Sequence, residues 1–328
     1  MSTITISPDM RPAAFLFLGL LLAGLPARGW GFYGHRKINR QAVWLLPPEM
    51  LLFYKKHIDY LAEHAVDPDK RRYAVAAEGP RHYIDLDRYG AYPFDSLPRS
   101  WKEAVARYGA DSLQRHGIVP WWIQTMLHRL TEAFREKDGA RILKLSAEIG
   151  HYIGDAHVPL HASSNHDGQH TGQKGIHGFW ESRVPELLGE TDWNYFAGRA
   201  VYIADPGAFI WDRVLESAAA ADTVLAEERR LTERFPADRK YAFEQRGNQT
   251  IRQYSAAFSR AYDRALNGMI GRRLRQSITA VASFWFTAWV NAGQPDLSAL
   301  TSVSITPADR AEWDTLQQAW LRGGSREH

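Results

Sequence analysis

The 328-residue sequence contains no cysteine. That absence excludes a disulfide scaffold, zinc thiolate sites, iron–sulfur clusters and thiol catalysis, so any metal must be held by nitrogen and oxygen ligands. An excess of one charge is lacking too. Forty lysines and arginines stand against 37 aspartates and glutamates, and a net +3 is too small to draw nucleic acid by bulk electrostatics. Long apolar runs are missing: the stretch from Ala13 to Leu25 falls short of the roughly 20 residues that span a bilayer as a helix. Continuous alternating strands are scarce, with Arg81–Leu86 the best short one, and there is no fixed-period repeat or low-complexity linker. What remains is 45% apolar and 12% aromatic, the composition of a packed chain.

Residues 1–29 read as a secretory signal peptide. Arg11 precedes the apolar run, and Ala27-Arg28-Gly29 puts small residues at the −3 and −1 positions. An uncleaved anchor is the bland alternative for this segment. Cleavage after Gly29 leaves 328 − 29 = 299 residues in a secreted or periplasmic protein whose first residue is Trp30. Residues 30–328 then read as a single all-α, multi-helix domain. Three- and four-residue apolar spacing predicts helices over Met50–Leu61, Trp101–Tyr108, Trp121–Phe134, Ile142–Ile153, Ala208–Leu231, Ile251–Leu266, Met269–Val290 and Ala308–Leu321. The polar, glycine-rich stretch Ala162–Gly175 reads as a surface loop.

Thirteen histidines are present, and six of them lie between His151 and His177. In His151-Tyr-Ile-Gly-Asp155, the spacing of four puts an imidazole and a carboxylate on one helical face. Pro159 then ends or kinks the helix, letting His161 turn back toward the same pocket. His177-Gly-Phe-Trp-Glu181 repeats the four-residue pairing. Such a nitrogen and oxygen set suits zinc. Singly, each histidine is better explained as a core or surface group. Together, packed imidazoles repel on protonation unless metal or carboxylates compensate. Upstream lie the carboxylate-rich turn around Asp67, Asp69 and Lys70, the segment His82-Tyr83-Ile-Asp85, and Trp30-Gly-Phe-Tyr-Gly-His35. A free terminal amine loses its proton near pH 8 and, with the Trp30 carbonyl, can chelate a metal.

An N-terminal WGxxGH, Asp67-x14-His82, HYIGDAHVPLH and HxxxE together resemble the superfamily of zinc-dependent phospholipase C and single-strand nucleases of the S-one/P-one type. The motifs cover Trp30 to Glu181. The five-residue step from Trp30 to His35 resembles the nuclease branch, whereas Glu181 stands where nucleases use aspartate and phospholipases glutamate. The resemblance implies three Zn2+ ions. Asp67, His82, His151 and Asp155 would hold the first, with Asp69 the rival to Asp67. His161, His177 and Glu181 would hold the second, and Trp30, His35 and the bridging Asp155 the third. His157 would support the ligands, and His64, His166 and His170 would be solvated or loop histidines. Asp85 would orient or deprotonate the nucleophile, or simply partner His82. Tyr83 would stack a base or serve as a core aromatic. Lys70 would neutralise phosphate or be a surface cation. The implied activity is that of a secreted zinc-dependent phosphodiester hydrolase, a nuclease cleaving single-stranded DNA or RNA by metal-activated hydroxide. The alternatives are a phospholipase C acting on phospholipid headgroups and, more distantly, a non-catalytic zinc-stabilised binding protein. No obligate protein partner is expected.

Overall fold

In a computed structural model of the chain, residues 31–246, 249–300, 303 and 306–323 are described. The expected signal segment and Trp30 lie outside the described residues. Helices dominate, as the all-α reading expected. In chain order they are α1 (Gly31–Ala42), α2 (Pro48–Lys56), α3 (Ile58–Glu63), α4 (Asp67–Arg71), α5 (Trp101–Tyr108), α6 (Ala110–Arg115), α7 (Val119–Arg135) and α8 (Gly139–Ala156). A short 3-10 turn at Pro159–Ala162 follows, then α9 (Ile176–Gly178), a π-helical turn at Phe179–Arg183, and α10 (Val184–Leu188). The rest comprises α11 (Pro206–Arg234), an antiparallel hairpin of β1 (Tyr241–Arg246) and β2 (Gln249–Tyr254), α12 (Ala256–Ala265), α13 (Met269–Asn291) and α14 (Pro307–Gly323). Among the described residues no helix is long and apolar enough to cross a membrane.

Helix α8 is the centre of the molecule. Its start is capped by Asp138, whose carboxylate accepts from Arg141 N at 3.0 Å, and nearly every residue after that first turn is buried. A helix buried on most faces needs neighbours all round, and α1, α3, α7, α11 and α13 supply them. Trp285 of α13 donates its indole N–H to Ser146 O at 3.0 Å, and Tyr54 of α2 meets Ser146 Oγ at 2.9 Å. Asn39 of α1 donates to both Leu61 O and Ala147 O at 3.0 Å, tying three helices together. This approach is possible only because position 150 is glycine. A Cβ there would lie 2.0 Å from Asn39 Oδ1. The close crossing of α1 and α8 stacks the His35 ring on the His151 ring, with centroids 3.8 Å apart.

Three expected elements are different. The helix expected over Met50–Leu61 is two, α2 and α3, because His57 leaves the helical region at φ −111°, ψ 20°. The first residues of the expected Ile251–Leu266 helix lie in β2, and α12 starts only after Ser255, whose hydroxyl accepts from Phe258 N at 3.1 Å. Arg81–Leu86 is no strand. It is a loop pinned crosswise, with Ile84 N donating to His161 O at 2.8 Å and Asp85 N to His116 O at 2.7 Å. That pinning matters for the site, since it carries His82 against Asp155 and His151 of α8 and sets Asp85 beside His116.

Candidate metal centre

His151 and Asp155 sit one turn apart on α8 and face the same way, as their spacing predicts. His151 Nδ1 donates to Ala65 O at 2.8 Å, His161 Nδ1 to His82 O at 2.6 Å, and His177 Nδ1 to His166 O at 3.1 Å. A backbone carbonyl on one ring nitrogen fixes the tautomer and leaves Nε2 with a free lone pair, the arrangement of metal-binding histidines. Pro159 ends the helix and the following 3-10 turn swings His161 back, while the π turn sets Glu181 beside His177. Single π turns of this kind recur at functional sites.

Among the described residues three groups of ligand atoms result, all buried: His82 with His151 and Asp155, His35 with Asp69 and His151, and His161 with His177 and Glu181. Around Asp155 Oδ2, His82 Nδ1 lies at 3.0 Å and His151 Nε2 at 3.2 Å, and the two nitrogens are 3.0 Å from each other. Tetrahedral zinc with bonds of about 2.0–2.1 Å has ligand edges of roughly 3.3 Å, so the spacing suits a small cation. The other oxygen of Asp155 faces His35 Nε2 at 3.5 Å. The two oxygens therefore address different groups of imidazoles. In the remaining group, Glu181 Oε2 is 2.8 Å from His177 Nε2 and 3.4 Å from His161 Nε2.

Unpaired polar atoms show why these residues suit a bound cation. Both nitrogens of His35, both oxygens of Asp69, Asp155 Oδ1, His161 Nε2 and both oxygens of Glu181 are buried with no hydrogen-bond partner among the described residues. Buried polar atoms are normally paired, and so many orphans converging on one place call for a bound ion. Electrostatics agree. Burial pushes the Glu181 carboxyl up to about 8 and the His35 imidazole down to about 4. At His82 burial acts to lower the pKa, but Asp155 and Glu78 outweigh it and raise the imidazole to about 9. A divalent cation relieves both the stranded carboxylates and the crowded imidazoles. The residues present fit zinc.

One expected ligand is not in the cluster. Asp67 turns away, its Oδ2 2.6 Å from His64 Nδ1 and its Oδ1 accepting from Lys70 Nζ at 3.3 Å. Asp69 stands there instead, with Oδ1 3.8 Å from His151 Nε2 and 3.9 Å from His82 Nδ1. The two aspartates are two residues apart on α4, which turns their side chains about 200° from each other, so only one can face α8. The same contact engages Lys70 with Asp67. His64 is no solvated histidine either, since its ring packs against those of Tyr60 and Trp313, which also touch each other.

Asp85 is half-buried and 3.4 Å from His116 Nδ1, and burial raises its carboxyl above the usual range. His82, next along that segment, is contacted by Asp155, Asp69 and Glu78 rather than by Asp85. Tyr83 is half-buried, and its hydroxyl donates to Arg115 O at 3.2 Å. His157, as expected, is outside the three groups. Glu78 belongs to none of the motifs above. It is fully buried, accepts from Arg81 and Tyr152, and reaches His82 Nε2 at 3.7 Å. Burial alone would raise its carboxyl, but His82, Arg71 and Tyr152 outweigh that and bring it down to about 2. Its one legible signal was its position four residues before His82.

Comparison with known proteins agrees with this geometry. No curated protein matches the chain. A family model does, that of the S1/P1 Nuclease, over residues 30–277, a span that contains every residue of the cluster. The chain belongs to the S1/P1 nuclease family and is thereby a hydrolase of the nuclease type, acting on phosphodiester bonds.

Proposed function

We propose that the protein is a secreted zinc-dependent nuclease that cleaves single-stranded DNA or RNA, and that its cluster holds three ions. Asp69, His82, His151 and Asp155 would hold the first. His161, His177 and Glu181 would hold the second, three protein ligands being the number that leaves a position open for substrate or water. His35 and Asp155 would hold the third together with the amine and carbonyl of Trp30, which signal-peptide removal after Gly29 would expose. The next residue, Gly31, packs against Ser182, adjacent to Glu181, so the chain enters the fold beside the cluster. The observation that carries the reading is the set of buried, unpartnered ligand atoms.

When bound, zinc supplies Lewis-acid polarisation of the phosphoryl oxygens and brings the pKa of water toward neutrality. The chain's own groups do the rest. The carbonyls of Ala65, His82 and His166 hold three imidazoles in one tautomer and orientation. Asp85, its carboxyl raised by burial, would orient the attacking water and accept its proton. Tyr83, on the same segment, would offer a ring to a nucleobase, a contact that tolerates any sequence.

The test is a side-by-side assay on single-stranded DNA, RNA and phosphatidylcholine, with zinc content measured on the same preparation. Hydrolysis of nucleic acid that is abolished by chelation is expected. Lipid turnover with nucleic acid untouched would overturn the reading in favour of a phospholipase C. Bound zinc with no hydrolysis of any diester would leave a zinc-stabilised binding protein.

A further inference from the structure

A second concave site lies apart from the cluster. His157 follows Asp155 by two residues at the end of α8, which turns it about 200° away, so it faces out of the opposite side of the helix. There it contributes to the wall of a cavity of about 540 Å³, formed with Phe196, Phe209, Arg213, Arg272, Arg275 and residues of α13 around Gln276. Ligand pockets are typically about 300–1,000 Å³.

The lining has one chemical character. Three arginines face the cavity and, among the described residues, no carboxylate lines it. The charged groups that do meet these arginines come from the flank: Glu216 pairs with Arg213 at 2.7 Å and also with the buried Arg273 at 2.9 Å. Arg275 donates to Asn194 O at 3.1 Å and Arg272 to Asn267 O, both neutral backbone acceptors, while the Asp263 carboxyl on the flank is near enough to Arg272 to feel its charge. Two aromatic rings complete the wall. Phe209 lies under Arg213, 5.2 Å from guanidinium carbon to ring centroid, and Phe196 is 84% exposed. Two buried polar atoms here have no partner among the described residues, His157 Nε2 and Arg213 Nε. His157 is wholly inaccessible and its Nδ1 is committed to Ile153 O at 2.7 Å, so Nε2 is an acceptor waiting for a donor.

Arginines beside aromatic rings select a flat anion: the guanidinium takes phosphate oxygens, the ring takes a π-face, and an inward acceptor takes a hydroxyl or amino group. The geometry points to this cavity as a second binding site, distinct from the metal cluster, for a nucleotide, with its phosphate held by Arg272, Arg275 and Arg213 and its base stacked against Phe196. The choice of a nucleotide among aromatic phosphates rests on the nuclease reading above. The site itself rests on the cavity.

The test uses the zinc-loaded protein and three probes, adenosine 5′-monophosphate, adenosine and inorganic phosphate, titrated by calorimetry. The double variant Arg272→Glu and Arg275→Glu reverses charge at two surface positions. It is expected to weaken one class of monophosphate sites at least tenfold while turnover of a chromogenic phosphodiester stays unchanged. Phe196→Ala is expected to weaken the monophosphate several-fold and leave inorganic phosphate unaffected. Monophosphate titrations that are identical in the wild type and the double variant would overturn the site. Loss of diester turnover in a folded double variant would overturn its separation from the cluster. If the wild type hydrolyses no diester yet still shows the arginine-dependent site, the nuclease reading fails and the pocket stands.

Discussion

Gly150→Ala is the substitution whose sign is least obvious from sequence and most sharply set by the structure. In an isolated helix, alanine is favoured over glycine by about 0.8–1.0 kcal/mol. At position 150 the new Cβ would fall 2.0 Å from Asn39 Oδ1 and 2.9 Å from its Cγ, inside any allowed contact. Asn39 is buried among α1, α3 and α8 and has no slack, so it must swing away and surrender its hydrogen bonds to Leu61 O and Ala147 O. At about 0.5–1.5 kcal/mol each, with a further 1–3 kcal/mol where a buried carbonyl is left unsatisfied, the loss exceeds the propensity gain. A net destabilisation of about 2 kcal/mol is expected. The displacement also separates α1 from α8, and with it His35 from the His151 ring on which it stacks. Urea unfolding with and without zinc is the assay: the midpoint should fall for Gly150→Ala, and zinc should restore less of it than in the wild type. A variant as stable as the wild type or more so would mean that helix propensity governs this position, and the packing argument for the α1–α8 crossing would be wrong.

Other perturbations discriminate just as well. Asp69→Asn should lower zinc content and activity at least tenfold, whereas Asp67→Asn should keep zinc and cost only the local contacts with His64 and Lys70; the reverse order by metal analysis would restore Asp67 as the ligand. Glu78→Gln should reduce zinc affinity by about 10–100-fold, the usual cost of losing a group that orients a ligand, without contacting the metal; unchanged affinity by competition with a chelator would remove it from that role. At Glu228 burial acts to raise the carboxyl, but Lys240, Gln173 and Thr232 outweigh it and hold the carboxyl below its ordinary value. Its stabilisation is therefore present above the unfolded value near 4.5 and is lost as pH falls through the lower folded value. Glu228→Gln should cost about 1–3 kcal/mol at pH 7 and flatten the acid limb of stability measured from pH 6 to pH 3; an unchanged limb would deny the linkage.

Much of the site was legible because one helix carries its own signature. His151, Asp155, Pro159 and His161 are close in sequence, and helical geometry converts that closeness directly into a shared face. His177 and Glu181 were legible for the same reason, although the π turn between them was not. The choice between Asp67 and Asp69 was not legible, because it depends on which side of a five-residue helix meets α8, and His64 and Lys70 decide that by capturing Asp67. Glu78 was hidden because a buried carboxylate and a solvated one look alike until Arg71, Arg81 and Tyr152 gather round it. The hairpin was missed since its residues do not alternate. It is held from outside, by Arg183 donating to Tyr254 O at 3.1 Å and by Phe179 stacking on Tyr254 at 3.9 Å. For Glu78 and the hairpin the local pattern failed where contacts distant in sequence make the decision, whereas at Asp67 neighbours three residues away make it.

Under the proposed function, the buried, unpartnered set of imidazoles and carboxylates exists to hold zinc. An anomalous-scattering map of the mature protein, collected across the zinc edge with the first residue identified, tests it most directly. Three zinc peaks are expected, with Asp69 among the ligands, Asp155 shared between two ions and Trp30 at the N-terminus. Absence of zinc from the cluster, or a peak bound by Asp67 with Asp69 turned to solvent, would contradict it.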